Sequence, residues 1–419
     1  MDTVLNTENV AAKTTSGRLA MLFIVCFIGN MFAGVVSTLM SVYLPEVVKE
    51  LHGNQSVSEF NNVSAYINSM FIFGWAAGGF LWGFIGDLTG RKISLLLSIA
   101  CFGIFTLLIS QANQWWEIIA CRFLSGVGTG GLLVISFTLI SEVWPEKTRA
   151  VYTGILSISI PVGIFSAGAI NYLVNSWRQG FMVGIIPIAV AIIGFWVISE
   201  SGLWLKNHEK HAGDNSGNIG SVLFSNLKTL LIGSVIFGTM LIGLWAIFLW
   251  LPTWIQTLLT TDANKERGIS MMFMGMGGLT GGFISGWVVN LLGLRRSLIL
   301  SFVVCSVMSF VLFKTNTTFS GVIYGEIAVL ALFFGISQGV LSLYIPLLFP
   351  TSIRAIATGL CFNTFRILTG VAVLSVGMLE STLGGYGNAL FIFSLVFVVG
   401  LIAMLLIKDI QGGTKSIKS

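Results

Sequence analysis

Charge is what this sequence has least of. Asp, Glu, Lys and Arg together make up 9% of its 419 residues, against a hydrophobic share of 55%, and the mean hydropathy is +0.91. So little charge argues against an ordinary soluble domain. Histidine is scarcer still, at three residues. His208 and His211 lie in a polar, Gly/Asn/Ser-rich stretch, the setting of a linker and not of a metal centre. The five cysteines, at 26, 101, 121, 305 and 361, are odd in number and all sit inside apolar runs. They read as small core residues and not as a disulfide framework. There is no G-x-x-x-x-G-K-[ST] phosphate loop, so ATP is not expected to drive the protein. No nucleophile–base set or metal cluster is legible, so the chain is not expected to be an enzyme or to need a cofactor. The first apolar run, 19–44, is too long for a signal peptide and lacks a small-residue cleavage site.

What the chain does have is long apolar runs. A bilayer core of about 30 Å takes about 20 helical residues. Twelve runs qualify, at roughly 19–44, 63–86, 93–111, 115–141, 149–174, 180–199, 227–256, 269–291, 297–313, 320–347, 353–379 and 387–407. With the N-terminus placed inside, fifteen of the 22 Lys and Arg fall on the inner side. Only residues 49, 178, 265, 267 and 314 fall outside, and Arg122 and Arg366 lie within helices. Basic residues collect on cytoplasmic loops, so both termini are expected in the cytoplasm. The net charge of +5 and pI near 9.0 therefore need no nucleic acid. The longest polar interruption divides the chain into a six-helix half, 1–205, a linker, 206–226, and a second six-helix half, 227–419.

The halves repeat. Gly78-Gly79-Phe80, Gly83, Asp87 and Gly90 recur 203 residues later as Gly281-Gly282-Phe283, Gly286, Asn290 and Gly293, with a basic pair after each: Arg91-Lys92 and Arg295-Arg296. Trp144-Pro145, Arg149 and Gly154 recur 205 residues later as Phe349-Pro350, Arg354 and Gly359. The stretch Gly83 to Lys92 reads G-x-x-x-D-x-x-G-R-K. It resembles the loop between the second and third helices of major facilitator superfamily transporters. Arg122 with Gly126, Gly128, Gly130 and Gly131, followed by Glu142, Pro145 and Arg149, resembles the R-x-x-x-G-x-G-x-G-G and E-x-x-P-x-x-x-R patterns of the same superfamily. That resemblance implies an all-α membrane protein of two pseudo-symmetric six-helix bundles, with substrate held near the midplane between them.

Gly126 to Gly131 also satisfies the dinucleotide pattern G-x-G-x-x-G, but inside an apolar helix with no strand before it. Close helix packing is the better reading. Gly83, Asp87, Gly90, Arg91, Glu142, Arg149 and Arg354 read as a gate at the inner face, whose ionic contacts hold the bundles together in one state and release them in the other. Topology-setting charge is the plainer alternative.

Arg366 is the most informative single residue. It lies at the midpoint of the eleventh run, where a charge costs roughly 2.5–3.5 kcal/mol or more. Asn363-Thr-Phe-Arg366 resembles the arginine-bearing eleventh helix of organic-anion and metabolite:proton symporters, among them sialate, lactate and aromatic-acid carriers. A guanidinium is a planar fork matched to a carboxylate. The alternative is a structural pair with Glu326. Asn363, Asn30, Gln338, Tyr344 and Trp250 are the other candidate substrate contacts, Asn30 and Gln338 because polar groups in lipid are costly, whereas tryptophans in membrane helices are usually packing or interface anchors. Arg122, Glu117 and Glu326 are candidates for proton coupling, or else for a structural ion pair.

The expectation is a multi-pass plasma-membrane transporter acting as a monomer. It would take up a small organic anion, a carboxylate, with a proton, by alternating access. Export of the anion, a neutral solute such as a sugar or nucleoside, and a non-transporting scaffold are the rivals.

Overall fold

Inside a bilayer no water is available to backbone N–H and C=O groups, so each apolar run must satisfy them internally, as helix. The computed structural model shows that outcome. It describes residues 2–53, 56–201, 225–261, 263–349 and 353–406, without the side chains of 2–16, 87, 150 and 354–356. Most of the expected linker, 206–226, lies outside the described residues. Twelve helices are long and apolar enough to cross a membrane: α1 (Gly17–His52), α2 (Val57–Gly86), α3 (Arg91–Ile109), α4 (Trp115–Val143), α5 (Glu146–Leu173), α6 (Trp177–Val197), α7 (Leu227–Thr257), α8 (Asn264–Leu292), α9 (Leu294–Thr315), α10 (Val322–Leu347), α11 (Ala357–Met378) and α12 (Tyr386–Leu406). They form two six-helix bundles that meet chiefly through α2 against α11 and α5 against α8. The bundle face from which α1 departs and to which α12 returns is called here the termini face, and its opposite the far face.

The repeat has a local cause. α2 passes into α3 through Gly90 at φ +101°, and α8 into α9 through Gly293 at φ +80°. Two long helices thus reverse direction with almost no loop, at a positive φ that only glycine adopts at low cost. Elsewhere side chains set the boundaries. Ser56 and Glu59 form a reciprocal capping box at the start of α2, satisfying end N–H groups that no helix can satisfy for itself.

Several helices extend further than hydropathy indicates, α2 among them, which starts at Val57 and not at 63. α1 continues past Leu44 to His52, and α8 starts at Asn264, ahead of residue 269. The apolar pattern breaks at Glu46 and Arg267. Yet these two charges meet each other, so protein and not lipid covers the extensions of α1 and α8.

Glycines set the packing within each bundle. A Cβ on Gly74 or Gly78 would strike the backbone of Phe123 or Val127, and one on Gly126 or Gly130 would strike the carbonyl of Phe71 or Trp75. The glycine run of α4 is therefore a helix–helix contact surface, as small-residue spacing in membranes requires. Gly163 on α5 abuts Met31 and Gly34 within the same bundle, whereas Gly168 abuts Gly268 on α8 across the bundles. Gly163→Val is expected to cost about 3 kcal/mol of fold stability through overpacking, seen as a lower Tm in detergent. Gly168→Val is expected to leave the Tm nearly unchanged and to open the far face, seen as faster labelling of an engineered cysteine there.

Candidate functional site

Arg366 sits on α11 and faces the other bundle. Its Cζ lies 4.6 Å from the ring centre of Trp75 on α2. Its Nη1 donates to Asn363 Oδ1 at 3.2 Å. No carboxylate among the described residues pairs with it, and Glu326 accepts instead from Asn316 Nδ2 at 2.6 Å. The structural pairing with Glu326 is therefore not formed. The guanidinium thus lies inside a membrane span, over an aromatic ring and partly exposed.

Trp75 is 4% exposed and meets Trp245 of α7 edge to face at 4.9 Å. Its Nε1, and the Nε2 of half-buried Gln338 on α10, are buried without a hydrogen-bond partner. An unmet buried donor costs about 1–3 kcal/mol, which an acceptor on a ligand would remove. Asn363 donates to Gly359 O at 3.0 Å and approaches Gly79 of α2. Tyr344 is buried on α10.

Two expected contacts lie elsewhere. Asn30 is fully buried inside the first bundle, donating to Cys26 O at 2.7 Å and to Ser136 Oγ at 3.0 Å. Its amide is used to join α1 to α4. Trp250 is also fully buried, donates to Val373 O at 2.9 Å and stacks on Tyr386. It fastens α7 to α11 and α12, with no free edge for a ligand.

Arg122 pairs with neither Glu117 nor Glu326. Fully buried, it donates to the carbonyls of Val36 at 2.8 Å and of Ser37 and Ile67 at 3.5 Å, with its Cζ 4.1 Å from the Phe71 ring centre. Carbonyl dipoles of α1 and α2 take the place of an acid, and Arg122 pins both helices to α4. Glu117 accepts from Asn113 N and Gln114 N at the start of α4. Both acids lie near the far face, at helix starts.

At the termini face Arg91 Nε is 3.3 Å from Glu142 Oε1, and Ser201 Oγ donates to Glu142 at 2.7 Å. Glu200 accepts from the backbone N–H of Arg91 and Lys92 at 2.9 and 3.1 Å, which caps α3 with a negative charge where the helix dipole favours one. Arg149 donates to Trp144 O. These contacts all stay within the first bundle, so the expected ionic clasp between bundles is not made by them. Gly83 borders open space. The side chains of Asp87 and Arg354 lie outside the described residues.

The joints between bundles lie toward the far face, a cluster that hydropathy does not mark. Arg267 of α8, 1% exposed at its side chain, pairs with Glu46 of α1 and also donates to Gln256. Asn171 of α5 donates to Asn264 of α8, and Asn68 of α2 to Leu249 O of α7. Asn61 of α2 donates to Glu380 at 2.6 Å and accepts from Tyr386 Oη at 2.6 Å. Every hydrogen bond found between described residues of the two bundles belongs to this group.

Burial holds the Glu380 carboxyl above its usual range, outweighing the Asn61 hydrogen bond, which lowers it. The sign follows: a pKa raised in the closed far face means that a proton binds more tightly there. Acid is therefore expected to favour closure as the pH falls through that raised value. Far-face cysteine labelling should slow at low pH in the wild type and lose this dependence in Glu380→Gln. An unchanged pH dependence in the variant would remove Glu380 from the effect.

Comparison with known proteins agrees with this architecture. A cis,cis-muconate transport protein of Acinetobacter baylyi is 24% identical over 414 residues, 96% of this chain and 98% of the relative. A sialic acid transporter of Escherichia coli is 26% identical over 350 residues, 80% of this chain and 82% of the relative. The crystal structure of a D-xylose-proton symporter superposes with a TM-score of 0.79 at 16% identity, over 93% of this chain and 98% of that one, a likeness of fold. Residues 26–374 match the family model of the Major Facilitator Superfamily, and the chain belongs to that family of membrane transporters.

Proposed function

We propose that this transporter carries a small organic anion, a carboxylate, bound by Arg366 between the bundles, and takes it up together with a proton. The observation that carries the reading is the guanidinium of Arg366. It is membrane-embedded and partly exposed, it faces the opposite bundle, and no acid among the described residues pairs with it. A carboxylate would neutralise that charge. Gln338 Nε2 adds an unmet donor. The muconate and sialic acid carriers among the relatives support an acidic cargo.

The excess of Lys and Arg on the termini face supports placing that face in the cytoplasm. The far-face joints then close the outside, and the conformation is inward-facing. The half up to residue 205 would rock against the half from residue 227, with 206–226 as the tether and the chain acting as a monomer. Moving one negative charge inward against an inside-negative potential costs about 2.3 kcal/mol per 100 mV, so concentrative uptake requires a co-transported cation. Glu117 and Glu326 sit near the far face, close to helix starts, so a proton taken up by either would travel apart from the carboxylate held at Arg366.

The test is a thermal-shift screen of the purified protein against cis,cis-muconate, sialic acid, D-xylose and uridine at two pH values. A ligand at 100 times its Kd adds about 2.7 kcal/mol. Stabilisation by acids alone is the expected result. Stabilisation by xylose or uridine alone would overturn the reading.

A further inference from the structure

The carboxylate reading leaves open what holds Arg366 in a receptive geometry. A long, flexible side chain in the interior has many rotamers, and an empty site offers no anion to orient it. Two contacts limit it. One face of the guanidinium lies over the Trp75 ring at 4.6 Å, and one corner, Nη1, is tied to Asn363 Oδ1 at 3.2 Å. The remaining N–H groups make no hydrogen bond to the described residues. With Nη1 tied to Asn363 and the Cζ over the ring, the untied edge of the guanidinium is left to accept a carboxylate side-on through two donors.

Trp75 is itself fixed. Trp245 stands edge-on to it at 4.9 Å, Phe71 packs one turn back at 5.8 Å, and Gly74 and Gly78 on either side press α2 against α4. It is a rigid platform, and it belongs to the bundle opposite Arg366.

We infer that Trp75 is the positioning residue for substrate binding: across the bundle interface, its indole face holds the Arg366 guanidinium with the carboxylate-binding edge open. This rests on the anion reading above and deepens it in one respect. Arg366 and Trp75 ride on different bundles, so any movement that parts α2 from α11 removes the platform. Affinity for the carboxylate then differs between the two states of the carrier, and substrate binding in turn biases those states by the same factor.

The experiment measures uptake into proteoliposomes by Trp75→Leu, Trp75→Phe and Arg366→Gln, with cis,cis-muconate and sialic acid as probes. Trp75→Leu should raise KM about tenfold with kcat within threefold of wild type, the scale of a lost stacking contact to a cation. Trp75→Phe keeps an aromatic face and should stay within threefold in KM. In an Arg366→Lys background Trp75→Leu should change KM less than twofold, because an ammonium presents no planar fork to orient. A purely structural role would instead lower kcat and Tm together and act equally in both backgrounds. That result, or an unchanged KM in Trp75→Leu, would overturn the inference while Arg366→Gln remained inactive. Wild-type uptake by Arg366→Gln would overturn the anion reading instead.

Discussion

Arg366→Gln is expected to reduce carboxylate uptake by at least about 100-fold while the protein still inserts and elutes as a single species. Removing one partner of a desolvated charge pair costs about 2–5 kcal/mol, and each 1.4 kcal/mol is tenfold. The fold should tolerate the change, because among the described residues Arg366 bonds only to Asn363 on its own helix and rests on Trp75. Removing an embedded charge also relieves a cost of roughly 2.5–3.5 kcal/mol, so the Tm should hold or rise. Uptake assays paired with thermal unfolding check both halves of the statement. A lysine at the same position keeps the charge and loses the fork, and should recover only part of the activity.

The second large effect lies at the opposite end. Arg267→Gln or Glu46→Gln should shift the carrier strongly toward an open far face. The Arg267–Glu46 contact joins α8 to α1, and Arg267 is 1% exposed there. Glu46→Gln leaves the buried Arg267 charge uncompensated, at a cost of up to about 3–5 kcal/mol, and Arg267→Gln leaves the part-exposed Glu46 at a smaller one. Opening the far face would hydrate that charge, so the cost falls on the closed state alone. The equilibrium should move about 100-fold in Glu46→Gln, and less in Arg267→Gln. Spin labels at the exposed positions Val57 and Val322, one on each bundle, would report a longer distance in either variant. An unchanged distance with a lowered Tm would instead make the pair an element of the fold.

Much of the architecture was legible because the bilayer leaves so few choices. Apolar length specified twelve helices, and the observed spans depart from the sequence-based ranges where polar residues such as Glu46, Glu59 and Arg267 interrupt the hydropathy. Such an interruption reads as a loop until the partner is known. Duplication pointed to Gly90 and Gly293, since both copies need the same reversal. The embedded Arg366 stood out for the same energetic reason that it is rare.

Partners were not legible. Arg122 and Arg366 look alike in one dimension, each a base within an apolar helix. Tertiary structure separates them: Arg122 is enclosed by carbonyls of α1 and α2, and Arg366 faces the other bundle. Asn30 met the polar-in-lipid criterion, but that criterion is satisfied as well by a neighbouring helix as by a ligand. Trp75 carried no mark among twelve tryptophans, because stacking across bundles has no sequence period.

By itself, then, the sequence determined the number of spans, the duplication and the presence of a charge embedded in a membrane helix. These follow from solvation, which each residue meets alone. Tertiary structure decided which charges meet, which face is joined and which aromatic ring lies under Arg366. Those are pair terms between residues up to 325 positions apart, as for Asn61 and Tyr386, and only the packed bundles bring such residues within a few ångströms.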